Sequence, residues 1–375
     1  MHIPPALKHR RFLLLWLGLL ISIAGTQMQI WALFWHIRNL TDQPIAVSGI
    51  GLARILPVII FSLIGGVLAD STNRRKIIFL TQSIAALLAL ALGLFTQFGH
   101  ITLWHIYVIT GLNAVAIAFD GPARQALVPN LVPAKDLSNA FSMTSIAFQT
   151  GSVVGPALSG IVIAAWGQQA VYYINAVSFL AVIIALAAIG DVPQKIETKT
   201  VSGGLSSIAE GIRFILGKPI ILSTMILDFI ATFFASANTL MPFVARDILH
   251  VGEVQYGLLS AAQAAGAVAM ALIVSQVREL RRQGLLFIGS VIVFGLATIL
   301  FGVSHIFALA WIALALTGAA DGLSTIIRNT IRQLQTPDHI RGRMTSVNQI
   351  FFQGGPQLGE IEAGAVAQAF GVPFA

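Results

Sequence analysis

Apolar residues run through this chain in long blocks, not in the alternation of a half-buried strand or the single stripe of a water-facing helix. A bilayer span needs about 20 mostly apolar residues. On that measure eleven segments qualify: 12–35, 46–69, 77–97, 102–122, 138–165, 169–189, 219–245, 254–277, 284–303, 306–327 and 344–370. The first, opening at Phe12 behind Lys8, His9, Arg10 and Arg11, is too long for a secretory signal core and is read as a retained span. Connections are short except for 190–218. That stretch carries Pro193, Lys195, Glu197, Lys199, Gly203 and Gly204 and runs into an amphipathic segment from Ile208 to Ile215. The pattern predicts an all-α membrane protein: an N-terminal six-helix bundle over 1–190, a cytoplasmic linker over 191–218, and a C-terminal bundle over 219–375. Five spans are read in the second bundle, and a twelfth is expected to be missing.

Composition agrees. Of 375 residues, 56% are hydrophobic and 10% charged, too few charges to cover a water-soluble surface of this size. The net charge of +7 could suggest nucleic acid, but the cations are placed otherwise. With the N-terminus inside, Lys8, Arg10 and Arg11, the Arg74-Arg75-Lys76 run, Arg124 and Lys135, the linker cations, Arg278, Arg281 and Arg282, and the set Arg328, Arg332, Arg341 and Arg343 all fall on the cytoplasmic side. Only Arg38, Arg54 and Arg246 fall elsewhere. This bias predicts a cytoplasmic N-terminus and contact with anionic lipid heads, not with nucleic acid. The absence of cysteine removes disulfides, thiolate metal sites and cysteine nucleophiles.

The chain repeats itself. Asp120-Gly121 followed by Met143-Thr144-Ser145 returns, at the same internal spacing, as Asp321-Gly322 followed by Met344-Thr345-Ser346. Phe148-Gln149 with Gly151, Gly155 and Gly160 is echoed by Phe352-Gln353 with Gly355, Gly359 and Gly364. Three echoes in order predict two pseudo-symmetric helical bundles, a known transporter plan.

The loop from Gly66 to Lys76, with Gly66, Leu68, Ala69, Asp70, Arg74 and Arg75 in place, resembles the signature loop of the major facilitator superfamily. Ser71 stands where that loop usually has Arg, and Asn73 where it has Gly; Asn tolerates a left-handed turn. Asp120 to Pro129, with Gly151, Gly155 and Pro156, is similar to the bacterial branch of enterobactin exporters and macrolide-efflux-like proteins. Tyr107 stands where many drug–proton antiporters carry an Arg. The resemblance implies the major facilitator fold in the bacterial cytoplasmic membrane, a monomer, and export by alternating access. It also implies a conformational latch at Gly66, Asp70, Arg74 and Arg75, in which Asp70 meets the N-terminal end of span 11 near Arg341 and Arg343.

At 100° per residue, Gly151 and Gly155 share one face of span 5, with Pro156 beside them, and Gly355 and Gly359 share one face of span 11. Faces without side chains let helices approach closely. Opposite them lie polar stripes: Ser142, Ser145, Gln149 and Ser152 on span 5, and Ser346, Gln349, Gln353, Gln357 and Glu360 on span 11. Span 1 adds Ser22, Thr26 and Gln29, and span 7 adds Thr224, Asp228, Thr232 and Thr239. Polar stripes do not face lipid cheaply, so they are expected to line a central cavity, the alternative being hydrogen bonds between helices of a dry bundle. Arg54, Asp228, Glu360 and Glu362 are charges inside spans, each costing about 2.5–3.5 kcal/mol at mid-bilayer. Asp228 and Glu360 are the candidate proton or substrate groups; either could instead sit in a structural ion pair, with Arg54 as the partner. Scattered histidines and the lack of a phosphate-cradling loop predict no metal, no cofactor and no ATP drive.

The expected function is proton-coupled export of a small amphipathic molecule, siderophore-like or drug-like. The alternatives are a transport-inactive scaffold or sensor of the same fold, or a lipid-modifying membrane enzyme, for which no cluster of catalytic groups is found. If the loop is a latch, Asp70→Asn lowers flux about tenfold, the size of a typical conformational coupling, while leaving substrate binding intact. Normal flux from a well-expressed Asp70→Asn variant contradicts it.

Overall fold

The computed structural model describes residues 4–194, 210, 212–235, 238–277 and 282–375, with side chains at all of these except 62, 63, 67, 70, 338–343, 345, 346, 349, 350, 352 and 353. Among the described residues the chain is helical and has no strand. In hydrocarbon no water is present to satisfy an exposed N–H or C=O, and a helix closes all of these bonds within one segment.

The long helices are α1 (Arg10–Leu40), α2 (Pro44–Ser71), α3 (Arg74–Gln97), α4 (Leu103–Leu127), α5 (Leu137–Trp166), α6 (Gln168–Ile189), α7 (Pro219–Ala235), α8 (Glu253–Ser275), α9 (Gln283–Gly302), α10 (Phe307–Gln335) and α11 (Asp338–Phe370). The 20-residue α9 is about 30 Å long, enough for a bilayer core. Ten helical segments among the described residues are long and apolar enough to cross a membrane. The segment read as an eleventh span is the 33-residue α11, a single helix made less apolar by its Gln and Glu residues. Large apolar side chains such as Leu56, Leu80, Leu87, Ile184, Leu296 and Ile299 point outward, as lipid contact requires.

Two expectations fail locally. Span 7 is not one regular helix to residue 245. After α7 come a 3-10 turn at Asn238–Leu240, a helical turn at Met241–Phe243 and a π turn at Val244–Ile248. Pro242, which has no N–H to donate, sits at the start of the middle turn. Span 10 does not end at 327: α10 continues to Gln335, which puts Arg328 inside the helix. The linker expected at 191–218 falls largely outside the described residues; within it, 212–216 is helical and Ile215 is buried with Ile221, Met225, Met344 and Val347.

Contacts divide the chain into two compact units. Unit 1 is Met1–Leu40 with Ala53–Val201; unit 2 is Thr41–Leu52 with Ser202–Ala375. In unit 1, α1 packs on α5 and α6, and α3 packs on α4 and α6. In unit 2, α10 packs on α8 and α9, and α11 on α7.

Close backbone approach builds both units. A Cβ on Gly151 would lie 2.6 Å from Ile23 Cγ2, and one on Gly155 would lie 2.9 Å from the Ala24 carbonyl oxygen, both on α1. In unit 2, a Cβ on Gly355 would lie 2.6 Å from Thr232 Oγ1, and one on Gly359 would fall on the Phe233 carbonyl, both on α7. A second pair was not read from the sequence. A Cβ on Gly65 of α2 would strike the Ala118 carbonyl of α4, and one on Gly266 of α8 would strike the Ala315 carbonyl of α10. Gly65 and Gly266 are separated by the same interval as Asp120 and Asp321, so they belong to the same repeat. Gly266→Leu is expected to cost on the order of 1–3 kcal/mol through overpacking. Gly289→Leu, at a position with nothing within 4 Å of the added Cβ, is expected to be near neutral. Equal melting temperatures for the two variants in detergent contradict the contact.

Candidate functional site

Charge gathers inside unit 2. Arg328, 4% exposed, lies two turns beyond Asp321 on α10. Its Nη1 pairs with Asp228 Oδ1 of α7, and its Nη2 lies 3.4 Å from Asp321 Oδ1. The same Nη2 donates to Thr325 Oγ1 at 2.6 Å. A guanidinium in low dielectric is held only where carboxylates and acceptors satisfy it, and here two carboxylates and a hydroxyl do so. The cluster opens into a small cleft, with room for about one water, lined by Asp228, Thr232, Ser290, Phe294, Ser324 and Asp321 among others.

Arg328 was read from the sequence as a cytoplasmic surface charge. Its burial corrects that reading, and Asp228 has in it the ion-pair partner that the alternative reading gave to Arg54. Arg54 itself is half-buried on α2. The missed signal was the spacing: Arg328 is seven residues after Asp321, hence on the same helix face, once α10 is known to run past 327.

Unit 1 holds the corresponding carboxylate in a different way. Asp120 of α4, also buried, accepts from Thr81 Oγ1 and Gln82 Nε2 of α3, each at 3.0 Å, and from Arg124 Nη2 one turn along its own helix. Ser22 of α1 joins this network by donating to Gln82 Oε1 at 3.4 Å.

The other expected residues fall as follows. Gln29 does not face an open stripe: it is buried and its Oε1 accepts from Asn175 Nδ2 of α6 at 2.7 Å. Gln27, not singled out from the sequence, donates to Ser152 Oγ at 3.1 Å. Gln149, Ser142 and Ser145 are exposed. Glu360 is buried, with Oε2 3.5 Å from where a Cβ on Gly51 would sit, and its backbone oxygen accepts from Thr239 Oγ1 at 3.5 Å. The side chains of Gln353, Gln349, Ser346, Asp70, Arg341 and Arg343 lie outside the described residues, and so does the expected contact of Asp70 with span 11. Gly66 has open space around it. Asn73 is not in a left-handed turn. It is extended, at φ −68° and ψ 107°, and caps α3 by accepting from the backbone N–H groups of Arg75 and Lys76. Arg74 donates to the Ala69 carbonyl, the Ala126 carbonyl and Asn130 Oδ1. Arg75 donates to the Leu186 carbonyl and pairs with Asp191 at 3.0 Å. The two arginines therefore tie the loop to the ends of α4 and α6 within unit 1.

Helical bundles built on close glycine contacts, with lipid-facing exteriors and a buried charge cluster, define a membrane transporter. Residues 4–375 match the family described as transmembrane secretion effector, and the chain belongs to that family of the major facilitator superfamily. It is 29% identical to the enterobactin exporter EntS of Citrobacter koseri over 285 residues, covering 76% of this chain and 68% of the relative. It is 28% identical, over the same shares, to the enterobactin exporter EntS of Escherichia coli O81. Among solved structures it is similar to a bacterial homologue of the human lysosomal transporter Spinster, with TM-score 0.76 at 17% identity, covering 98% of this chain and 84% of that one. It is also similar to the nucleoside transporter NupG, with TM-score 0.74 at 14% identity, covering 96% and 91%. These two likenesses establish the shared fold. The protein is thus an integral protein of the cytoplasmic membrane.

Breaking the buried cluster should be costly. Arg328→Met is expected to destabilise the protein by about 3–5 kcal/mol, and Asp228→Leu combined with Arg328→Met to recover only part of that loss, because Asp321 is left without its cation. Thermal denaturation in detergent measures both; an Arg328→Met variant that melts like the wild type contradicts the pairing.

Proposed function

We propose that the protein is a secondary exporter that moves a small amphipathic molecule, siderophore-like or drug-like, out of the cytoplasm in exchange for protons. The observation that carries this reading is the Asp228–Arg328 pair, buried in an apolar bundle yet lining a cleft. A fixed structural ion pair has no need of access to a cleft, whereas a charge cluster that couples proton movement must be reached by a proton and must change charge during the cycle. The similarity to enterobactin exporters supports the direction and the substrate class.

In this reading the two pseudo-symmetric bundles, 1–190 and 219–375, joined by the linker, rock about a midplane site. The N-terminus is cytoplasmic, the protein acts as a monomer, and anionic lipid heads meet its basic loops. The loop at Asp70 biases the cycle, while Arg74 and Arg75 keep that loop rigid. Gly151, Gly155 and Pro156, with Gly355 and Gly359, supply the packed faces of α5 and α11 beside the moving elements. Glu360 is a second candidate carboxylate, and Arg54, Gln149 and Gln353 are candidate substrate contacts.

Inverted membrane vesicles test the reading, with enterobactin, a macrolide and a lipophilic cation as probes, with and without a proton uncoupler. A residue that only couples the proton can be neutralised without loss of exchange. Asp228→Asn is expected to abolish gradient-driven accumulation while substrate exchange across the vesicle membrane stays measurable. Full pH-dependent accumulation by both Asp228→Asn and Glu360→Gln removes these carboxylates from the coupling step.

A further inference from the structure

The two repeats carry the same carboxylate and treat it differently. Asp120 and Asp321 open the same Asp-Gly pair on α4 and α10. Asp120 receives three donors: Thr81, Gln82 and Arg124. Thr81 and Ser290 stand at the same place counted from the starts of α3 and α9, and so do Gln82 and Val291. Both α9 residues line the cleft beside Asp321. Val291 has no polar hydrogen to donate where Gln82 has one, and the Ser290 hydroxyl donates to the Phe287 carbonyl at 2.7 Å, whereas the Thr81 hydroxyl lies 3.0 Å from both the Ile78 carbonyl and Asp120. The position of Arg124 is taken in the second repeat by Thr325, and the arginine has moved to Arg328, where Asp228 holds its Nη1. Asp321 is left with the 3.4 Å contact to Arg328 Nη2, the Thr325 hydroxyl and the cleft.

The remaining charges around it are few. Packed against α10, α7 brings Asp228 as its one charged residue, α9 brings none, and α8 brings Glu253 at its first position. On α10 itself the other charges are Arg328 and Arg332.

We infer that Asp321 is the residue that takes up and releases the transported proton, that Arg328 is its exchange partner, and that Asp120 is the structural copy of the same position. The inference rests on the proposed proton-coupled export and names the group that carries the proton. In the ionised state Arg328 bridges Asp228 and Asp321. A proton arriving through the cleft binds an Asp321 carboxylate oxygen, the contact from Arg328 Nη2 breaks, and Arg328 is held by Asp228 alone. Loss of the proton to the other side restores the bridge. Donors favour the charged form of a carboxylate, and Asp120 is surrounded by more of them than Asp321, which faces the cleft with a single shared cation. Asp228 is then a positioning residue: it holds Arg328 away from Asp321 while Asp321 is neutral.

Infrared difference spectra of the full-length protein in liposomes, titrated with pH, read the proton directly and need no substrate. The wild type should show the carbonyl band of a protonated carboxylic acid growing as pH falls. Asp321→Asn should remove that band, and Asp120→Asn should keep it. Asp228→Asn should also remove it, because the released Arg328 then clamps Asp321 in its charged form. Val291→Gln restores the donor present in the first repeat and should suppress the band without touching a charged group, so the assignment stays testable if Asp321→Asn does not fold. A band that persists unchanged in Asp321→Asn, or in a folded Val291→Gln variant, overturns the assignment. A band lost in Asp321→Asn, in a protein whose export of enterobactin ignores the pH gradient, upholds the proton site and removes the proposed coupling instead.

Discussion

A guanidinium surrounded by apolar helices is stable only where its charge is answered, and Arg328 sets that requirement in this protein. Asp228 comes from α7 and Asp321 from α10, so satisfying Arg328 fixes these two helices against each other in unit 2. An effective loss of several kcal/mol follows from leaving any of these ions alone in low dielectric. The same cost is what the proposed proton step would use, since a charge that is expensive to bury responds to a single proton.

The frame around that cluster is built by removing side chains. Where Gly65, Gly266, Gly155 and Gly359 sit, a neighbouring backbone or side chain occupies the space that a Cβ would need. Without a hydrophobic drive between helices in lipid, such contacts supply dispersion energy that bulkier residues would forfeit. They recur in both units, as expected for a duplicated bundle. The polar residues between the helices do not recur in the same way. Gln82 in the first repeat has become Val291 in the second, and the tight network around Asp120 has become an open one around Asp321. Duplication thus preserved the scaffold and let the buried charges diverge.

Much of this was legible in the sequence. Long apolar blocks give the helices because lipid leaves the backbone no alternative, and the signature loop gives the superfamily. The glycine faces of α5 and α11 were readable because a period of 3.6 residues is obeyed well inside a long helix. What was not legible depended on partners distant in the chain. Gln29 lies on a polar stripe, yet it is buried and its amide oxygen accepts from Asn175, 146 residues away. Arg328 looked like a surface cation because hydropathy falls off near the end of span 10, although α10 continues to Gln335. Asn73 looked like a turn residue and is a helix cap, since the following backbone N–H groups needed an acceptor. The break after α7 had a signal in Pro242 that hydropathy averaging smoothed over.

Coupling between substrate and proton movement is the centre of the account. Its most direct measurement is proton flux across liposomes containing the purified protein and an internal pH-sensitive dye, started by adding enterobactin to one side with no imposed gradient. The account predicts that substrate moving down its gradient drives protons the opposite way, changes the internal pH, and stops doing so when Asp321 is replaced by Asn. Enterobactin movement that leaves the internal pH unchanged in the wild-type protein contradicts it.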